Sequence, residues 1–190
     1  EKAGLTFNEI SRNILRHDPD VLMIGEIRDE ETAKVAVSSS VVGHKVFSTI
    51  HAKDSLSVIT RLIDLGVNEF LAIDALDLVI SQRLVKKLCN CKKKKSIDEM
   101  IVFNKKYEKA KYYSPHGCEK CKFTGYSGRI LLSEILIIDD IIKEMLLKKK
   151  PMAYIREYIN TKYFEYSFSQ NVETLINSGE VYIKDLEILR

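Results

Sequence analysis

The sequence lacks several features that would define its function directly. It contains no Gly-Lys pair, and therefore no Gly-x-x-x-x-Gly-Lys-Ser/Thr loop, whose backbone amides cradle nucleotide phosphates. No apolar run is long enough to cross a bilayer. No basic start followed by an apolar stretch and a cleavage site is visible, so we expect a cytoplasmic protein. The net charge of only +3 argues against an obligate nucleic-acid binder.

The composition is that of a globular protein, with 45% hydrophobic and 30% charged residues. A chain of 190 residues can form one full domain, or a core with a small appendage. The first residue is Glu1 rather than Met, and a capped apolar segment begins almost at once. We therefore expect a fragment of a longer protein or a truncated reading frame.

The first 88 residues alternate helical patterns with short apolar runs. Thr6, with Glu9 three residues later, forms a capping-box pattern that predicts a helix to about residue 16. The apolar run at 21–24, ended by Gly25, predicts a strand buried on both faces, as in a parallel sheet. The patterns that follow predict a helix at 30–42, a strand at 45–50, and helices at 56–63 and 69–84. This alternation predicts a parallel α/β sheet.

The composition changes at Cys89. Between 89 and 128 the chain is rich in Lys, Tyr, Gly and Cys, and the one periodic pattern there predicts a short helix after Ser96. Residues 129–138 have a β-like pattern, and the remainder is mostly helical. The predicted regions are therefore 1–88, 89–128 and 129–190.

Glu26 follows the first predicted strand. Ligands of parallel α/β sheets bind at the carboxyl ends of the strands, where a carboxylate can hold the magnesium shell or orient an attacking water. The alternative is a surface glutamate just past a core strand, and on this pattern alone the two interpretations have equal weight. Arg28 and Asp29 are candidates for the same site, or for contacts that fix the strand-to-helix turn.

The whole segment 15–29 resembles the signature of the type II secretion and type IV pilus ATPases. That signature is Leu-Arg, two residues, Pro-Asp, an apolar run and Gly-Glu-Ile-Arg-Asp, and every position is met. The resemblance implies the second half of a RecA-like P-loop ATPase core, a parallel sheet with flanking helices. A tetracysteine zinc element and a helical C-terminal region would follow it. The resemblance also implies that Glu26 is the Walker B acid, acting on the catalytic water or on Mg²⁺.

Two histidines, His44 and His51, flank the second predicted strand. Their surroundings resemble the family's His box, which is Thr-Gly-His, a strand, and then Ser-Thr-Leu-His-Thr. The resemblance implies that His51 lies near the γ-phosphate of ATP, and that His44 holds the box in place or senses the neighbouring subunit. Val42 and Ala52 depart from the pattern, and each departure removes a hydroxyl group.

All four cysteines lie in the region 89–128: Cys89, Cys91, Cys118 and Cys121. In a reducing cytoplasm, paired cysteines point to metal more than to disulfides, and four thiolates form the closed tetrahedral site of structural zinc. Free thiols are the alternative. The family's assembly ATPases have a tetracysteine element here, normally two Cys-x-x-Cys pairs, which the retraction ATPases generally lack. The first pair in this chain is shortened to Cys-Asn-Cys, and the resemblance favours assembly or secretion over retraction.

The resemblance covers nearly the whole chain and extends to its partners. It implies a homo-hexamer that uses ATP and Mg²⁺, and that docks on an inner-membrane platform protein with peripheral membrane association. Arg61, in the helix after His51, also fits the family pattern, although a surface pair with Asp64 is an equal alternative.

The family's phosphate-binding loop lies N-terminal to the point where this chain begins. We therefore expect negligible ATP hydrolysis by the chain alone, and an exposed sheet edge with poor solubility. One alternative function is a non-catalytic, zinc-bearing interaction module. Another is a nucleic-acid-dependent motor, because lysines crowd around the first cysteine pair at 86–87 and 92–95. Most such charge runs are solvated surfaces, so nucleic acid is not the expected partner.

Overall fold

The computed structural model of the chain describes residues 6–95 and 112–189. The helices are α1 Phe7–Leu15, α2 Glu30–Val41, α3 Ser57–Asp64, α4 Glu69–Asp74, α5 Asp140–Leu147, α6 Met152–Lys162 and α7 Phe168–Asn177. The strands are β1 Val21–Ile27, β2 Lys45–Ile50, β3 Leu78–Leu88, β4 Lys93–Lys94, β5 Tyr113–Ser114 and β6 Tyr126–Ile137. The α/β class predicted from the sequence is therefore confirmed. The helix predicted after Ser96 lies outside the described residues.

The chain forms two compact units, each built from two separate segments. The first consists of Glu1–Val79 and Ile137–Tyr158, and the second of Ile80–Leu136 and Ile159–Arg190. The predicted regions 1–88, 89–128 and 129–190 are functional segments, and a division of the chain by contacts does not test them. They therefore stay predictions.

In the first unit, β1 and β2 pair in parallel, and α2 packs on them. Side chains along β1 alternate: Val21 and Met23 are 55% and 71% exposed, whereas Leu22 and Ile24 are half-buried. The prediction of a strand buried on both faces is therefore wrong. The apolar run suits burial on both sides, but only one face of this two-stranded sheet is covered within the described residues.

The predicted helix at 69–84 is also wrong. Helix α4 ends at Asp74, and a strand, β3, begins at Leu78. Contacts with residues far along the chain hold the segment between the end of α4 and the start of β3. Lys143 Nζ donates to the Asp74 carbonyl (2.8 Å), and the Ile138 N–H donates to the Asp77 carbonyl (2.9 Å). Pairing of β3 with β6 then outweighs the local helical spacing.

The second unit has its own apolar core. Val85 of β3, Leu132 of β6 and Ile176 of α7 are at least 94% buried there. Tyr112 and two residues of the C-terminal 3₁₀ helix Ile183–Leu189 belong to the same core. The short antiparallel pair β4–β5 joins the two cysteine-bearing stretches of this unit.

Among the described residues, the longest helices are too short, or too polar, to span a membrane.

Candidate functional site

Glu26 lies where the parallel ladder of β1 and β2 becomes irregular. The register runs evenly from Val21 to Ile24 and then shifts before Ile27 pairs with Ile50. Irregularities of this kind redirect side chains and are frequent beside active sites. Thr49 Oγ1 donates to the Gly25 carbonyl (2.8 Å) and so satisfies the backbone at the irregular position.

One oxygen of Glu26 is held by Arg28. The distance from Arg28 Nη2 to Glu26 Oε2 is 2.6 Å, and the Arg28 side chain is otherwise largely exposed. The hydrogen bond from Arg28 is the main reason that the pKa of Glu26 lies below its ordinary value; burial opposes this effect, and the charges of Arg28 and His51 add to it. Glu26 is therefore ionised at neutral pH.

The other oxygen of Glu26 has no hydrogen-bond donor among the described residues. Glu26 Oε1 is buried, and His51 Nε2 approaches it to 3.2 Å without forming a hydrogen bond. A buried carboxylate oxygen without a partner is costly. The His51 side chain is 93% exposed, so it can move to admit another group. The donor set fits Mg²⁺ or a magnesium-bound water, because hard cations take carboxylate oxygens as ligands.

His44 lies at the opposite end of β2. Its Nδ1–H donates to the Pro19 carbonyl (2.8 Å), just before β1 begins. Because an extended strand rises about 3.3 Å per residue, roughly 20 Å separates His44 from His51. The structure therefore does not bring the two predicted histidines together, and the contact of His44 suits a role in holding the strands.

Asp29 and Arg61 are the two remaining candidates from the sequence. Asp29 caps α2, accepting from the Thr32 N–H (2.8 Å), and this bond lowers the pKa of Asp29. Arg61 is exposed in the last turn of α3. Within the described part of the chain Arg61 forms no ion pair, so its suggested pairing with Asp64 is absent there.

Sequence reasoning missed the residue that fixes the loop after His51. Asp54 Oδ1 accepts from the Ser57 N–H (2.8 Å) and hydroxyl (2.5 Å), and Asp54 Oδ2 accepts from Arg156 of α6 (2.9 Å). The Asp-x-x-Ser spacing is a local signal for the first pair of bonds. The sequence contains no signal for the second, because 102 residues separate Asp54 from Arg156.

The four predicted cysteines come together in the second unit. Their sulfur atoms all lie within 4.8 Å of one another. The Sγ–Sγ distances are 3.9 Å for Cys89–Cys118, 3.9 Å for Cys91–Cys121 and 3.8 Å for Cys118–Cys121. A tetrahedral zinc site with Zn–S bonds of about 2.3 Å separates its sulfurs by about 3.8 Å. The shortened Cys89-Asn90-Cys91 pair is therefore compatible with a single metal ion.

Backbone groups support the cluster from outside. The N–H groups of Cys118 and Gly125 donate to Cys121 Sγ at 3.2 and 3.3 Å. Burial alone would raise the pKa of the Cys121 thiol, but these donors and the neighbouring thiols lower it to about 6. Burial raises the pKa of Cys91 to about 11, with the neighbouring thiols acting in the same direction. Thiolates this close repel one another, and a divalent cation at their centre would offset that repulsion.

The cluster is tied to the turn after α7. Lys92 donates to the Gly179 carbonyl (2.5 Å) and lies over the Tyr113 ring, 4.8 Å from its centroid. The Leu88 N–H donates to the Glu180 carbonyl (2.7 Å). The cysteine segment and the C-terminal helices thus share backbone contacts.

Known proteins are similar to this chain over most of its length. A family model described as Type II/IV secretion system protein matches residues 1–187. The type IV pilus assembly ATPase PilB of Thermus thermophilus is 40% identical over 167 residues, which are 85% of this chain and 19% of that protein. The type II secretion system protein HxcR of Pseudomonas aeruginosa is 38% identical over 190 residues, which are 100% of this chain and 37% of that protein. The chain thus spans well under half of either relative.

A solved structure is similar in fold. The ATPase DotB of Yersinia pseudotuberculosis superposes with a TM-score of 0.65 at 21% sequence identity. The match covers 97% of this chain and 40% of the DotB chain. At this identity the likeness concerns the fold alone.

Proposed function

Because the chain belongs to the type II/IV secretion system protein family, we propose that it is the C-terminal portion of a hexameric motor ATPase. The motor couples ATP hydrolysis to type IV pilus assembly or to type II protein secretion. The observation that carries the proposal is the ionised carboxylate of Glu26, with one buried oxygen that lacks a donor, at the carboxyl end of a parallel strand pair.

In this proposal Glu26 is the Walker B acid. Bound ATP supplies the phosphoryl group, and bound Mg²⁺ neutralises the charge that develops on it. Glu26 Oε1 would hold a water of the magnesium shell or orient the attacking water. Arg28 lowers the pKa of Glu26 through its hydrogen bond to Oε2 and holds that oxygen in place. The exposed imidazole of His51, 3.2 Å from Oε1, can turn toward the γ-phosphate and donate to it.

The remaining predicted residues receive supporting roles. We assign His44 to holding β2 against the start of β1, and Asp29 to capping α2. The exposed guanidinium of Arg61 is free to face a neighbouring subunit of the hexamer. Residues 1–88 would then form the second half of a RecA-like core, and the phosphate-binding loop would come from a part of the full-length protein outside this chain.

The cysteine cluster is proposed to bind one structural Zn²⁺ through Cys89, Cys91, Cys118 and Cys121. The ion would order a segment with few apolar residues, and the ordered segment would dock on the platform protein at the cytoplasmic face of the inner membrane. The sulfur–sulfur distances of 3.8–3.9 Å support this site. These distances also favour the second candidate function, a non-catalytic zinc-bearing interaction module. The isolated chain could perform this function, because zinc binding does not require a phosphate-binding loop.

ATP turnover decides between the two functions. We expect the full-length protein to hydrolyse ATP and the 190-residue chain alone to show negligible turnover. In the full-length protein, Glu26→Gln should lower kcat by about 100- to 10,000-fold, the range for loss of a general base. Glu31→Gln, the same chemical change at an exposed position in α2, is the matched control.

Equal kcat values for the two full-length variants would remove Glu26 from the mechanism. Turnover by the isolated chain would show that the loop is not required. A full-length protein that hydrolyses no ATP but still binds zinc and its platform partner would establish the interaction module.

A further inference from the structure

The turn that follows Cys118 presents an aromatic side chain to solvent. We call residues 118–125 the knuckle turn. Phe123, within it, is 73% exposed. Both Lys122 (φ 51°) and Phe123 (φ 62°) have left-handed backbone conformations, which bulky residues seldom adopt. The left-handed backbone conformation at Lys122 and Phe123 therefore determines that the Phe123 side chain points into solvent.

Backbone hydrogen bonds to the carbonyl groups of two clustered cysteines fix this conformation. The Phe123 N–H donates to the Cys118 carbonyl (2.9 Å), and the Thr124 N–H donates to the Cys121 carbonyl (3.1 Å). Cys118 and Cys121 are also two of the four clustered thiols. The backbone at Phe123 is consequently held in place before binding, so contact with a partner need order only the side chain.

The knuckle turn is basic around its aromatic residue. Lys120 and Lys122 precede Phe123 in the turn, and Lys93 and Lys94 follow Cys91, whose sulfur is 3.9 Å from that of Cys121. None of these four lysines forms an ion pair within the ranges 6–95 and 112–189. By contrast, Lys87 of the same unit pairs with Glu180 (2.7 Å). Glu119 is the acidic residue of the knuckle turn.

We propose that the knuckle turn inserts Phe123 into the interfacial region of an anionic lipid bilayer, with the surrounding lysines at the headgroups. A Phe ring beside basic residues can be buried at the boundary between headgroups and acyl chains, and each nearby basic residue adds attraction to anionic lipid. The inference rests on the cytoplasmic-face location in the proposed function, and it supplies a contact with the lipid in addition to the platform protein.

The rings of this unit favour lipid over nucleic acid. Single-stranded nucleic acid is bound by successive aromatic rings on which bases stack. Here Tyr113 and Tyr126 are covered by Lys92 and Lys86, at 4.8 and 5.1 Å from the ring centroids. Among the tyrosine and phenylalanine rings described between residues 112 and 126, only Phe123 projects into solvent, and an isolated ring suits insertion between headgroups better than base stacking.

The test is sedimentation of the zinc-loaded 190-residue chain with vesicles. We expect binding to equimolar phosphatidylglycerol and phosphatidylcholine, weak binding to phosphatidylcholine alone, and release at high ionic strength.

Phe123→Asn should weaken vesicle binding about tenfold, because part of the free energy of transferring a Phe side chain out of water is lost. Asn readily adopts left-handed dihedrals, so this variant keeps the turn. Lys120→Gln with Lys122→Gln should weaken binding by about 25-fold, at about fivefold for each lysine.

Phe70→Asn is the matched control, because Phe70 is 57% exposed on α4 of the first unit. Zinc content and circular dichroism confirm that each variant is folded. Undiminished vesicle binding by Phe123→Asn, or an equal loss for Phe70→Asn, would overturn the proposal. Binding to a DNA oligonucleotide without binding to vesicles would assign the lysines to nucleic acid instead. Failure here leaves the Glu26→Gln result in the full-length protein unaffected, so the two proposals fail separately.

Discussion

The turn after α7 allows a quantitative test of packing in the second unit. Gly179 has a φ of +67°, and a Cβ placed on it would lie 2.5 Å from two ring carbons of Tyr113. Real Cβ atoms do not approach so closely, so Gly179→Ala must displace the Tyr113 ring. That ring cannot move freely, because Lys92 lies over it and donates to the Gly179 carbonyl.

Gly128 of β6 provides the matched comparison. Its φ is +79°, but nothing lies within 4 Å of an added Cβ. Gly128→Ala therefore incurs only the left-handed penalty of about 1–2 kcal/mol, partly offset by the lower entropy of the unfolded chain. Gly179→Ala adds overpacking of about 1–3 kcal/mol. We expect losses in the free energy of unfolding of about 1 kcal/mol for Gly128→Ala and about 2–4 kcal/mol for Gly179→Ala.

The assay is urea unfolding of the zinc-loaded chain, monitored by circular dichroism. Equal losses for the two variants would refute the packing argument. A double variant, Gly179→Ala with Tyr113→Ala, separates the cost of the clash with the Tyr113 ring from the cost of the left-handed backbone at position 179. If the ring is the obstacle, the double variant should lose less stability than the sum of the two single variants.

Two further predictions concern the metal and the loop after His51. Elemental analysis should give one zinc ion per chain, and Cys118→Ser should abolish it, whereas a fully folded metal-free chain would contradict the site. For Asp54, burial raises the pKa, but the hydrogen bonds from Ser57 and Arg156 outweigh burial, so the pKa of the folded state lies below the ordinary value of 3.8. The stability that this carboxylate contributes is therefore present above pH 3.8 and is lost as the pH falls through the folded-state pKa. Asp54→Asn should lower the urea midpoint at neutral pH and have little effect in stronger acid; an equal loss at both pH values would contradict the ion pair.

Features encoded by nearby residues could be predicted from the sequence. Thr6 and Glu9 form both bonds of the expected capping box, because each partner lies three residues from the other. Strand β2 occupies the predicted residues 45–50. The cysteine cluster could also be anticipated, since four thiols in one cysteine-rich region have few other uses in a reducing compartment.

Features decided by distant residues could not be predicted. The change from helix to strand after Asp74 depends on Lys143 and on pairing with β6, and neither leaves a mark in the local pattern. The sequence could not show that Arg28 pairs with Glu26, because an arginine two residues from an acid can also pair with other acidic residues nearby. The resemblance implied that His44 holds the box in place or senses the neighbouring subunit, but it could not give the atom that His44 contacts, the Pro19 carbonyl 25 residues earlier in the chain.

The alternating order of segments has a consequence for synthesis of the chain. Each compact unit is completed by a segment that follows part of the other, with crossings after Val79, Leu136 and Tyr158. As the chain leaves the ribosome, the first unit cannot close until residue 158 has emerged, by which time most of the second unit is already outside. The two units must therefore mature almost together, and a chain that ends after Val79 or after Leu136 would lack part of both of them.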